Sequence, residues 1–294
     1  MMRGLLILWA LLAAAPAVAV PAMWVIRSAG AGHSGGAAAE TEITLFGTVH
    51  ALPGGTSWMT PAIAAQLAGA DTLVLEAVLP DDPSSLAPEI ARLGVMPGLA
   101  PLATRVAPAL RDRITALAAG AVPMAGLDRM ATWLASITLT QISMASIGVT
   151  ATDGVEPELT MMARATAKPV VGLETVEQQL GYLAGLPEAD QVAMLEATLM
   201  EVGDLRTETD RLIGLWRAGD VETISREFFK DARASPRLER VLLADRNRRW
   251  VAWLATRLHQ PGKVFVGVGV GHFGGPTGLL ALLAAKGIAV QKIE

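Results

Sequence analysis

Residues 264–278 read VFVGVGVGHFGGPTG, an alternation of valine and glycine that runs into His272 and then into a glycine-rich loop. β-Branched and aromatic residues suit a buried strand, and glycine inside such a run marks a close approach of another backbone or a ligand. Residues 44–55, TLFGTVHALPGG, repeat the arrangement near the other end of the chain. Each run closes on a Gly-x-x-His sequence, Gly47 to His50 and Gly269 to His272, in a chain with only four histidines.

A helix and a second strand follow each run. After His50, TPAIAAQLAGA (60–70) offers Thr60 as a cap and Pro61 in the first helical turn, and DTLVLEAVLP (71–80) is a nearly continuous apolar strand ending at Glu76. After His272, TGLLALLAAKG (277–287) reads as a helix and IAVQKI (288–293) as a strand. MWVIR (23–27) is an opening strand, PVVGLET (169–175) a strand ending at Glu174, and VPMAGLD (122–128) a short strand between helices. The rest of the middle is helical, including one long run from Arg237 to Leu258. The pattern predicts an α/β fold, a mixed central sheet flanked by many helices, made of two loosely related halves.

Composition narrows the function. Hydrophobic residues make up 52% and charged residues 18%, with mean hydropathy +0.42, which suits a sizeable core and excludes a disordered chain. A net charge of −4 and a pI near 5.7 leave no basic footprint, so nucleic acid is not expected as a partner. Cysteine is absent; any metal must be held by histidines and carboxylates.

The first residues, MMRGLLILWALLAAAPAVAV, carry Arg3, an apolar run and then Ala17-Val18-Ala19. That is the layout of a secretory signal peptide over residues 1–19, with 20–294 as a single domain. The competing expectation is an uncleaved anchor, since charge is absent between Arg3 and Arg27, although Pro16 and Pro21 interrupt the run. Either way the body is expected outside the cytoplasm, periplasmic or anchored facing the periplasm, and membrane attachment is expected only if the leader stays. His33 lies in a small-residue loop, SAGAGHSGGAAAE, and reads as solvated.

In open α/β sheets the polar residues just past the strand ends gather in one crevice. His50, Glu76, Glu174 and His272 all stand there, and two imidazoles with one or two carboxylates suit a catalytic divalent ion. On the late helix, Leu243, Asn247, Trp250, Leu254 and Leu258 form one stripe, which puts Asn247 in an apolar face bordered by Arg246. Such groups need partners when buried, and a sheet-edge carboxylate or a substrate would supply them. Arg248 and Arg249 read as solvated.

Taken together, LFGTVHALP, DTLVLEAV, KPVVGLETVEQQL, LLADRNRRW and the run from Val264 to Ile293 resemble the TraB/GumN family, which includes the Tiki-type metalloproteases. The resemblance covers nearly the whole mature chain. It implies a fold related to erythromycin-esterase-like and ChaN-like proteins, His50, Glu76 and His272 as the metal-binding or catalytic set, and Glu174, Arg246 and Asn247 in support. Gly154-Val155-Glu156 departs from the Gly-Val-Asp common in relatives by a longer acid.

The expectation is an exported metal-dependent hydrolase, first of all a peptidase, using zinc, manganese or cobalt on a peptide or other small extracytoplasmic substrate. His50, Glu76 and His272 would hold the ion, Glu174 or Glu76 would act as general base, and Arg246 and Asn247 would orient a carboxylate or steady developing negative charge. Two alternatives stand beside it: a metal-independent His/Glu hydrolase of esterase type, and a non-catalytic protein that binds a metal, haem or peptide.

Overall fold

A computed structural model describes residues 20–28, 41–201, 204–232 and 235–293. The expected signal peptide and His33 lie outside the described residues. Eight strands are present among them: β1 (Met23–Arg27), β2 (Thr41–Thr48), β3 (Leu52–Pro53), β4 (Thr72–Leu75), β5 (Val149–Thr150), β6 (Val170–Gly172), β7 (Gly262–Gly269) and β8 (Gln291–Lys292). Six form one mixed sheet in the order β6-β4-β7-β2-β1-β8, and β3 pairs with β5 apart from it.

The valine-glycine run sits at the centre. As β7 it pairs in parallel with β2 on one side, Thr48 opposite Gly269, and with β4 on the other, Leu75 opposite Gly267. Both central strands are buried along most of their length, which is why they read as continuous apolar runs rather than as alternations. β6 extends the parallel set beyond β4. β1 alone runs against its neighbours, pairing antiparallel with both β2 and β8.

The two strand-helix-strand units interleave in this sheet. The helix Pro61–Gly69, capped by the Thr60 hydroxyl on the Ile63 N–H at 3.1 Å, carries the chain from β2 past β7 to β4. The helix Leu279–Ala285 carries it from β7 past β2 and β1 to β8. The closing strand is shorter than the apolar pattern suggests, with only Gln291 and Lys292 paired.

A second apolar cluster lies among the middle helices, where Leu102, Ile114, Leu127, Leu139, Leu195 and Leu199 bury one another apart from the sheet core. Two local expectations are corrected there and beyond. Residues 122–128 do not form a strand: Pro123 sets the first turn, its carbonyl accepts from the Gly126 and Leu127 N–H groups, and Met124–Leu127 is a short helix that drives Leu127 into this cluster. Arg237–Leu258 is not one regular helix either. A wide π turn over Arg240–Ala244 separates Pro236–Glu239 from Asp245–Arg257, and such turns recur at functional sites.

β1 pairs with β2 only as far as Phe46. The next carbonyl, that of Gly47 in the first Gly-x-x-His run, accepts instead from the buried Trp216 indole N–H at 2.8 Å. Replacing Trp216 with Phe keeps the packing and removes that donor, so urea denaturation should show a loss of about 1–3 kcal/mol, the cost of an unsatisfied buried carbonyl.

Candidate active site

The register of the three central strands decides which side chains meet. His50 lies two residues beyond β2, Glu76 one beyond β4, Glu174 two beyond β6, and His272 closes the turn Val270–His272 after β7. Because β2, β4, β6 and β7 are parallel, all four stand at the same edge of the sheet. The helix Asp245–Arg257 adds Arg246 and Asn247, both buried. All six residues expected from the sequence are therefore in one cluster.

Glu76 is its centre. One carboxylate oxygen, Oε2, accepts from Arg246 Nη2 at 2.5 Å and Gln179 Nε2 at 3.3 Å. The other, Oε1, accepts from the Gly269 N–H at 2.8 Å and faces His272 Nε2 at 3.7 Å and His50 Nε2 at 4.0 Å. Burial pushes this carboxyl up, but His272, Arg246 and His50 beside it, with the Gly269 N–H, bring it down to about 2.

The two histidines live in opposite environments. His272 is packed against the Trp250 ring, with centroids 4.4 Å apart. Its Nδ1 meets Asn247 Oδ1 at 2.6 Å, and the amide orientation is set by Asn247 Nδ2 donating to the carbonyls of His272 and Thr277. Nδ1 therefore carries the proton, and the Nε2 lone pair faces Glu76 and the Arg246 Nη1 group at 3.3 Å. Burial, reinforced by Arg246 and His50, pushes His272 down to about 4 against the pull of Glu76.

The His50 side chain is 67% exposed. Its Nδ1 lies 2.6 Å from Glu156 Oε1, which also accepts from the Thr48 hydroxyl at 2.6 Å. Desolvation by the surrounding protein works against its charge, but the Glu156 carboxylate, helped by Glu76, outweighs it and lifts His50 to about 9. Burial likewise pushes Glu156 up, and His50 and Thr48 hold it below the usual carboxylate range.

Two glycines make these contacts possible. A Cβ on Gly154 would stand 2.2 Å from the His50 carbonyl oxygen, so only glycine lets the start of the helix Val155–Ala165 pass close enough to offer Glu156. A Cβ on Gly269 would stand 3.0 Å from Glu76 Oε1 and 3.3 Å from His50 Nε2, filling the gap between them.

Glu174 closes the far side. Arg246 Nε donates to its Oε2 at 2.9 Å, and Tyr182 Oη and Arg249 Nη2 donate to its Oε1 at 3.2 and 3.3 Å. Arg249 is thus half-exposed and tied to the site, whereas Arg248 pairs with Asp245 on the outer face as a solvated residue does. Glu156, Gln179, Tyr182 and Arg249 were not among the expected site residues. Glu156 stood out in the sequence as the long acid after Gly154-Val155, and Gln179 falls five residues after Glu174 on the next helix; Tyr182 and Arg249 carried no signal of their own. No three His, Asp or Glu side chains among the described residues are gathered closely enough to hold an ion as they stand.

The family model for TraB/PrgY/gumN proteins matches residues 23–292, from the first residue of β1 to the last of β8. The chain belongs to the TraB/PrgY/gumN family. No individual curated protein and no solved structure matches it. The match spans every strand that builds this site.

In the metal-free protein, nitrogen-detected NMR should find His50 still protonated at pH 7.5 and titrating near 9, with His272 neutral and Nδ1-protonated until the pH falls toward 4. Glu156→Gln should return His50 toward its ordinary value near 6.5, and a His50 that titrates near 9 without Glu156 would contradict the pairing. The stability consequences have opposite signs. The His50 contribution is full below about 6.5 and lost as pH rises through 9; the His272 contribution is full above about 6.5 and lost as pH falls toward 4.

Proposed function

We propose that the protein is an exported metal-dependent hydrolase, most simply a peptidase, and that His50, His272 and Glu76 hold a divalent ion. The observation that carries this reading is the convergence of both Nε2 atoms on one oxygen, Glu76 Oε1, across a gap lined by Gly269. Both Nδ1 atoms are meanwhile engaged at 2.6 Å by Glu156 and Asn247, the arrangement by which outer partners orient metal-binding imidazoles.

Charge supports the same reading. Three carboxylates, Glu76, Glu156 and Glu174, face two guanidiniums, Arg246 and Arg249, and His272 is neutral. One unit of negative charge is left, which favours a proton on His50 or a cation in the gap. The separations of 3.7 and 4.0 Å are somewhat wider than the roughly 3.3 Å between donors that share a tetrahedral ion at about 2.0 Å. His50, exposed at the rim, is the donor with room to close.

Such an ion supplies a Lewis acid that acidifies water and polarises a scissile carbonyl. The protein's own groups do the rest. Glu156 fixes the His50 ring, and Asn247 and Trp250 fix His272. Arg246, held between Glu76 and Glu174, offers positive charge where an oxyanion would form. Glu174, with both oxygens engaged, holds Arg246 in place, and Glu76 Oε1 is the carboxylate positioned to receive a proton in the gap. The leader motif supports export, and the resemblance to Tiki-type metalloproteases supports peptide as the substrate.

Elemental analysis of untagged protein lacking residues 1–19 should find roughly one zinc, manganese or cobalt per chain, with the ion lost in folded His50→Ala, His272→Ala and Gly269→Ala variants. Absence of metal after reconstitution with all three would sink the metal reading. Metal without turnover across a peptide panel would leave a binding protein. Glu76→Gln should abolish hydrolysis, and full activity in that variant would remove Glu76 from its assigned role.

A further inference from the structure

Arg246 has little left to offer a substrate in its ground state. Its Nη2 and Nε groups are committed to Glu76 and Glu174, and its Nη1 group donates to the Leu242 carbonyl at 3.1 Å beside His272. One turn further along the same helix, Arg249 differs. Its side chain is 50% exposed, and its guanidinium lies over the Tyr182 ring, 5.2 Å from the centroid. Only Nη2 is used, donating to Tyr182 Oη at 2.9 Å and Glu174 Oε1 at 3.3 Å. Nε and Nη1 have no partner among the described residues. Glu174 is shared between the buried Arg246 at 2.8 Å and Arg249 at 3.3 Å.

We propose that Arg249, steadied by Tyr182 and Glu174, is the subsite for a carboxylate on the substrate, specifically the C-terminal carboxylate of a peptide. This rests on the hydrolase reading above and gives it a direction, since a chain end fixed at Arg249 makes the protein an end-trimming peptidase. A guanidinium anchored through Nη2, with Nε and Nη1 still able to donate, offers charge-assisted hydrogen bonds to a carboxylate, and the aromatic ring beneath it limits its motion. Arg249 is linked to the gap through Glu174, Arg246 and Glu76, so a carboxylate held there lies on the same network that orients the site.

The test is equilibrium binding of an N-acetylated alanine tripeptide and its C-terminal carboxamide, with hydrolysis followed in parallel. The parent should bind the acid roughly 10–100-fold more tightly than the amide, the scale of a charge-assisted pair. Arg249→Gln should erase that preference without weakening the amide, and Arg249→Lys should restore part of it. Equal affinity for the two peptides in the parent, no binding of either, or an equal loss for both in Arg249→Gln would overturn the proposal. Turnover without acid preference would remove the subsite alone; acid preference without turnover would keep the subsite and remove the hydrolase reading.

Discussion

The in-register parallel pairing of β2 with β7 is the constraint on which the site depends. Thr48 stands opposite Gly269, so the two Gly-x-x-His segments leave the sheet side by side although they lie at opposite ends of the chain. A slip of one residue would turn every side chain of β7 to the other face. Burial on both faces makes that slip prohibitive, because Val264, Val266 and Val268 would exchange places with Phe265, Gly267 and Gly269 in a packed core. Gly267 is part of the same constraint: a Cβ there would stand 3.2 Å from side-chain atoms of Leu75, Leu159 and Thr48 at once. The glycines of this strand let β2 and β4 close around it.

With the strand ends fixed, electrostatics orients what they carry. Glu76, Glu174 and Arg246 are all buried, and a buried ion pair is weak evidence for stability, because desolvation offsets most of the attraction. Its effect here is orientation. Arg246 and Gln179 hold Glu76 Oε2, the Gly269 N–H holds Oε1, and the carboxylate is left with one edge facing both histidines. Glu174 does for Arg246 what Arg246 does for Glu76. Each charged group is therefore positioned by one that lies further from the gap, which is the condition for a preorganised site.

Much of this was legible in sequence because it follows from strand ends. A polar residue just past a parallel strand reaches the common edge whatever the loops do, so His50, Glu76, Glu174 and His272 declared themselves by position. Asn247 did so by interrupting an apolar stripe. Glu156 was visible only as an unusual acid, since its contact with His50 depends on the tight passage of Gly154 under the His50 carbonyl. Arg249 was indistinguishable from Arg248 by pattern; what separates them is Tyr182, which belongs to another helix. The segment 122–128 has the apolar content of a short strand, but its apolar residues serve a helical cluster that has no counterpart in the sheet.

The asymmetry between the two histidines follows from the same layout. His272 leaves β7, between β4 and β2, and is covered by Trp250 and Asn247; it is buried, neutral and fixed. His50 leaves β2 on the side where β1 has already stopped pairing, so its ring reaches the rim and meets a carboxylate instead of an aromatic face. One imidazole therefore keeps a lone pair in the gap at neutral pH while the other holds a proton there, a division of proton states set by environment alone. If the gap held a cation as proposed, only His50 would have to give up a proton, with Glu156 remaining as its counter-charge and the buried side of the site already in place.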